Sequence, residues 1–153
     1  MNNALARTTA IALLGLSAAA CAATPPVAPQ QPVPPIAQVS ISHVEGSVSY
    51  RERILMPAGS ILTVSVQDVS RADAPAETIA SARYTLDGSG PPYSYRVRVF
   101  NDRVEANHTY AVRAEIRDPN GRLAFTTDTR HEVLTRGAPN AADLVLVRVS
   151  QGS

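Results

Sequence analysis

A period-two alternation dominates the run from Gly46 to Pro75, and few chain shapes can satisfy it. Val44, Gly46, Val48 and Tyr50 alternate with Glu45, Ser47, Ser49 and Arg51, which is a strand with one dry face and one wet face. Leu62, Val64 and Val66 then face one way while Thr63, Ser65 and Gln67 face the other. Between them Met56-Pro57-Ala58-Gly59 presets one φ and frees another. The run is expected to be a β-hairpin that ends in the polar loop Ser70–Pro75.

The alternation recurs along the chain. Tyr93, Tyr95, Val97 and Val99 share a face opposite Ser94, Arg96 and Arg98. Tyr110, Val112, Ala114 and Ile116 do the same opposite Arg113, Glu115 and Arg117. Asp118-Pro119-Asn120-Gly121 is the clearest hairpin turn, and Leu123, Phe125 and Thr127 form the return face. Val133 and Leu134 are expected to begin another strand. The apolar run Leu144–Val149 predicts a central strand buried on both faces. Glu77–Thr85 alternates weakly and reads as an edge. Val39 and Ile41 are out of phase with Val44, Val48 and Tyr50, so a bulge or break is expected near His43–Gly46. Seven or eight short, mostly antiparallel strands with no helical period predict an all-β fold, a small single-domain β-sandwich or barrel over residues 38–150. Tyr110, opening its strand, is a candidate tyrosine corner.

The N-terminus has a different character. Residues 1–20 carry Arg7, a short apolar run from Ala10 to Leu16 and then small residues, which is the layout of a secretory signal peptide. The apolar part falls short of the roughly 20 residues needed to span a bilayer. Cys21, the only cysteine, follows at once, and Leu16-Ser17-Ala18-Ala19-Ala20-Cys21 resembles a bacterial lipoprotein processing site. Lipidation of Cys21 is therefore expected. Ala18 stands where such sites usually carry leucine, so cleavage to a soluble periplasmic form is the alternative. Ala22, with no aspartate after the cysteine, points to the periplasmic face of the outer membrane. Residues 21–37 are expected to be the lipidated cysteine and a Pro-rich linker; the closely spaced prolines of Ala22–Pro35 favour polyproline II at about 3.1 Å per residue, a reach of roughly 40 Å.

Chemistry is sparse. Lys plus Arg is 14 against 13 Asp plus Glu, and every basic residue is Arg. With Arg7 in the leader the exported part is balanced, which argues against nucleic acid as a partner. His43, His108 and His131 lie in no ligand or catalytic spacing, and Gly88-Ser89-Gly90 reads as loop punctuation rather than a nucleophile turn. Neither catalytic residues, nor a metal site, nor a cofactor is expected. Arg96, Arg98, Arg113 and Arg117 would form a basic stripe only if their strands were neighbours, and salt bridges on the wet face are the competing reading.

Two blocks carry a family resemblance: YRERILMPAGSILTVSVQDVSRADAP, residues 50–75, and HTYAVRAEIRDPNGRLAFTTDTRHEVLTRGAP, residues 108–139. Together they resemble the YbaY lipoproteins and the lipoprotein chaperones, or pilotins, of type III secretion. The resemblance implies a small membrane-tethered β-domain with a non-enzymatic binding or chaperone role for another envelope component, such as a secretin. The alternative is a carbohydrate-binding module for envelope polysaccharide, with Tyr93 and Tyr95 as stacking platforms. No residue is singled out for partner binding, although the Glu77–Thr85 edge is a candidate for strand addition.

Overall fold

A computed structural model describes residues 39–150. Its strands are β1 Ile41–Tyr50, β2 Ile61–Asp68, β3 Glu77–Thr85, β4 Tyr93–Phe100, β5 Tyr110–Arg117, β6 Leu123–Thr126, β7 His131–Val133 and β8 Leu144–Arg148, with one 3-10 turn at Asn101–Arg103. They join one sheet in the order β3-β2-β5-β6-β8-β1-β4, with β7 extending the pairing of β5. Only β1 and β8 run parallel among these strand pairs. One layer holds β8, β1 and β4, and the other holds β3, β2, β5, β6 and β7. Because β8 pairs with both β1 and β6, the sheet wraps almost into a barrel.

The expected all-β architecture is present, and the alternating residues fill its core. Val44, Val48, Leu62, Val64, Val66, Val97, Val99, Val112 and Ile116 are shut off from solvent in a single cluster. Each such side chain contributes about 1.5–3 kcal/mol on burial. Tyr50 stacks on Phe125 across the core, with ring centroids 4.4 Å apart.

The hairpin over Gly46–Pro75 does not form. β1 pairs with β4 and β8, whereas β2 pairs with β3 and β5. Pro57–Ser60 does turn, its carbonyl receiving the Ser60 amide and hydroxyl at 3.1 and 2.7 Å. But the intervening segment is long enough to cross between layers, and Met56 is buried on the way. Alternation reports which side chains face inward, and it is silent on which strand lies alongside.

Three further expectations are corrected. The register of β1 on β4 runs unbroken from Ile41↔Phe100 to Val48↔Tyr93, so no bulge forms at His43–Gly46; out-of-phase Val39 is simply exposed. Gly46 has another purpose there: a Cβ on it would sit 2.0 Å from the Ala142 carbonyl oxygen, where the segment before β8 crosses β1. Strand β7 ends at Val133, and Leu134 adopts a φ of 72°, so the chain turns where a strand was expected to begin. β8 is central in the order, yet Val145 and Val147 are 42% and 38% exposed, so among the described residues the outer face of this strand is left uncovered.

The Asp118–Gly121 turn is as expected. Asp118 Oδ1 accepts the amides of Asn120 and Arg122, both at 2.9 Å, and Gly121 supplies a φ of 81°. Partial burial would raise the Asp118 pKa, but these bonds and the Arg122 guanidinium outweigh it and hold the carboxyl below its ordinary value.

Candidate functional site

The register gives the domain two ends. β1 begins at Ile41, paired with Phe100, and Asp68 pairs with Tyr110; this near end carries the loops 69–76 and 101–109 and the turn 134–139, after which the chain runs along β1 to Leu144. Loops 51–60, 86–92 and 118–122 lie at the far end, a strand length of roughly 33 Å away for ten residues.

The near end holds a polar cleft of about 420 Å³, lined by Asp68, Glu77, Arg103, Glu105, His108 and Tyr110 among others. His108 is its centre. Its Nδ1 lies 2.6 Å from Asp68 Oδ2, and its Nε2 lies 3.3 Å from Glu105 Oε2. Asp68 Oδ1 also accepts the Ser70 amide at 2.9 Å and hydroxyl at 2.6 Å. Burial alone would raise the Asp68 pKa; the Ser70 bonds and the His108 contact overcome this and lower it. Tyr110 forms the anticipated corner: its hydroxyl accepts the Glu105 amide at 2.9 Å and reaches the Arg103 carbonyl at 3.5 Å. These groups are consumed by one another. Among the described residues no group of three or more His, Cys, Asp or Glu has metal-binding geometry.

At the far end the balance differs. Tyr50 donates to the Ile54 carbonyl at 3.0 Å, Tyr93 donates to the Ser89 carbonyl at 2.9 Å, and the two hydroxyls are 3.4 Å apart. Loops 51–60 and 86–92 are also stapled by Gly59 N–H to Leu86 O and Leu86 N–H to Ser60 O, both 2.8 Å. On this fixed base Ile54 and Leu55 are 41% and 65% exposed. Arg51 and Arg53 beside them are exposed and form no ion pair among the described residues. Glu52 Oε2, on the same loop, is shielded from solvent with no hydrogen-bond partner among the described residues. Polar satisfaction is incomplete here.

Along the wall, β3 and β4 are the two ends of the sheet and lie side by side without a ladder. Tyr84 spans the seam: its hydroxyl donates to the Arg96 carbonyl and accepts the Arg96 amide, each at 2.8 Å. Glu77–Thr85 is therefore the expected edge strand, but β4 flanks it, and a side chain bridges the two where a ladder is absent.

The other sequence candidates scatter. His43 is exposed on β1, and His131 pairs with β5 opposite Val112. Ser89 is tied to Asp87, whose carboxyl is held below its ordinary value by the Ser89 hydroxyl and amide. Tyr95 is only 4% exposed and donates to the Ala142 carbonyl at 2.7 Å, and burial pushes its pKa up to about 12. It is no sugar platform. Tyr93 is half-buried under its own loop. The basic stripe does not assemble, since β4 and β5 are not neighbours. Arg96 pairs with Glu45 at 2.8 Å, and Arg113 and Arg117 each pair with Glu115 at 3.2 Å. Cys21 lies outside the described residues.

The described domain is a near-barrel with one end whose polar side chains pair with one another and another that offers exposed apolar side chains. The family is that of the type III secretion system lipoprotein chaperones (YscW): its profile matches residues 39–146, and this chain belongs to it. The uncharacterized lipoprotein YbaY of Escherichia coli (strain K12) is 34% identical over 109 residues, covering 71% of this chain. The match covers 56% of that relative's length, so the chain spans little more than half of it. A solved structure of an alternative pilotin from the type II secretion system of Vibrio cholerae is 37% identical and superposes with a TM-score of 0.69, over 73% of this chain and 100% of the other. The resemblance carried by residues 50–75 and 108–139 is thus a family relationship.

Proposed function

We propose that this chain is a pilotin-like lipoprotein chaperone: a non-enzymatic domain that holds another envelope protein, such as a secretin, near the outer membrane. The observation that carries this reading is the match to the whole of the Vibrio cholerae pilotin at 37% identity. The remaining parts follow from the sequence. Residues 1–20 direct export and Cys21 takes the lipid. The Pro-rich linker through residue 37 gives the domain from residue 38 to 150 its reach. Several acyl chains at about 0.8 kcal/mol per buried methylene would anchor it firmly where one chain would not.

Two measurements test this. Intact-mass analysis of the mature protein should give a chain that begins at Cys21 with added acyl mass; an unmodified chain starting at Ala22 or later ends the anchor. Deleting the gene should deplete a partner multimer from the outer-membrane fraction, with restoration by the wild-type copy. An unchanged outer-membrane protein profile in the deletion strain overturns the chaperone role.

A further inference from the structure

The chaperone reading leaves open which surface takes the partner, and this inference rests on that reading. Ile54 and Leu55 are adjacent, large, apolar and exposed, and they sit on a loop held from beneath by Tyr50, Tyr93 and the Leu86 staples. Leu55 lies over Gly90, where a Cβ would come within 3.3 Å of its Cδ2, so the second loop supplies a seat for it. A preorganised apolar pair loses little entropy when it is covered.

Charge then selects the occupant. Arg51 and Arg53 precede the pair on the same loop, exposed and without ion-pair partners among the described residues, and Glu52 is the one carboxylate between residues 51 and 60. The near-end cleft is lined by the opposite sign, with Asp68, Glu77, Asp102 and Glu105 against Arg71 and Arg103. We propose that the far-end tip, with Ile54 and Leu55 as anchors and Arg51 and Arg53 as selectors, docks a short segment of an envelope protein that carries apolar side chains flanked by Asp or Glu. A second copy of this chain does not fit, because stable dimers bury on the order of 1,200–2,000 Å² and two side chains on a loop tip fall far short. A lipid surface is a different occupant, and the vesicle measurement below separates it from a peptide.

The experiment uses the full mature chain and three labelled synthetic peptides, one amphipathic in Leu and Glu, one in Leu and Lys, and one hydrophilic in Ser and Glu, read by fluorescence anisotropy. The Leu/Glu peptide should bind in preference to both others. Ile54→Ser with Leu55→Ser should weaken it tenfold or more. Arg51→Glu with Arg53→Glu should transfer the preference to the Leu/Lys peptide, with melting curves unchanged in both variants.

Equal binding of the Leu/Glu and Leu/Lys peptides, or affinities untouched by both variants, overturns the proposal. So does self-association of the wild type that the same variants abolish, or binding to phosphatidylglycerol vesicles that depends on the same four residues. In cells, full rescue of the deletion strain by the Ile54→Ser, Leu55→Ser chain overturns the tip while leaving the chaperone reading intact.

Discussion

The two ends of this small barrel treat polar groups in opposite ways. At the near end Asp68, His108, Glu105, Ser70 and Tyr110 satisfy one another, and even the loop backbone is bound, by Thr135 to the His108 carbonyl at 2.7 Å and Arg136 to the Asn107 carbonyl at 2.9 Å. At the far end the backbone is stapled too, but among the described residues the side chains above it lack partners: two exposed apolar, two cationic, and one carboxylate oxygen. Rigid loops are usually read as structural and loose ones as functional. Here both are held by hydrogen bonds to their backbones, and the difference lies in whether the side chains pair with one another.

If the near end is structural, damage to it should cost the most. Tyr110 is almost wholly buried, and Tyr110→Ala removes both the ring and the corner bond; we expect a loss of about 3–5 kcal/mol in urea unfolding. Tyr110→Phe, which keeps the ring, should cost only about 1 kcal/mol. A similar loss for both variants would mean that the hydroxyl alone holds the 101–109 loop.

Next in size is Asp68→Ala, which strands the Ser70 amide and His108; a loss of about 1–3 kcal/mol is expected. Its carboxyl is lowered from an ordinary value of 3.8, so in the wild type this contribution is fully present above that value and is lost as pH falls through the folded-state pKa. Urea midpoints measured between neutral pH and the acid limb should therefore converge for wild type and Asp68→Ala at low pH. Parallel curves would remove Asp68 from the account of acid sensitivity.

The near and far ends were also unequally legible in the sequence. Strands β2, β4 and β5 could be read residue by residue, because their dry faces alternate cleanly with polar ones. Pairing could not, since β1 and β2 expose the same pattern whether they lie side by side or face each other across a core. Val145 and Val147 misled because an apolar run on an open outer surface looks the same as one in a covered sheet. Tyr110 announced its corner by opening a strand. The His108 cluster gave no local sign, being assembled from residues forty apart in sequence. The far-end tip did leave a trace: Ile54 and Leu55 break the expected polarity of a loop, between arginines and a Pro-Gly turn, and that mismatch was the signal to follow.

Between the ends lies the seam. Tyr84→Phe deletes the hydroxyl that serves both the amide and the carbonyl of Arg96, and water reaches this exposed site in compensation. A loss of about 0.5–1.5 kcal/mol is expected, with faster hydrogen exchange at the Arg96 amide than in the wild type. Unchanged exchange there would show that β3 and β4 stay together by core packing alone, and that the edge of β3 is closed to an added strand for reasons other than this tyrosine.

The smallest effect should come from the tip, and it divides the two ends most sharply. Ile54→Ser with Leu55→Ser changes two large apolar residues, a substitution that in the core would cost several kcal/mol per site. Here the side chains are exposed already, the Tyr50 bond goes to the Ile54 backbone rather than its side chain, and Met56 and Leu86 beneath are untouched. Stability should shift by less than about 0.5 kcal/mol, and the domain should gain solubility as the exposed apolar pair is removed. A destabilisation comparable to Asp68→Ala would mean that Leu55 and Gly90 hold the two loops together as the near-end cluster holds its own, and the contrast between the ends would collapse into one of degree. A null result in unfolding beside a lost peptide affinity is the outcome that makes the far end a surface kept for a partner.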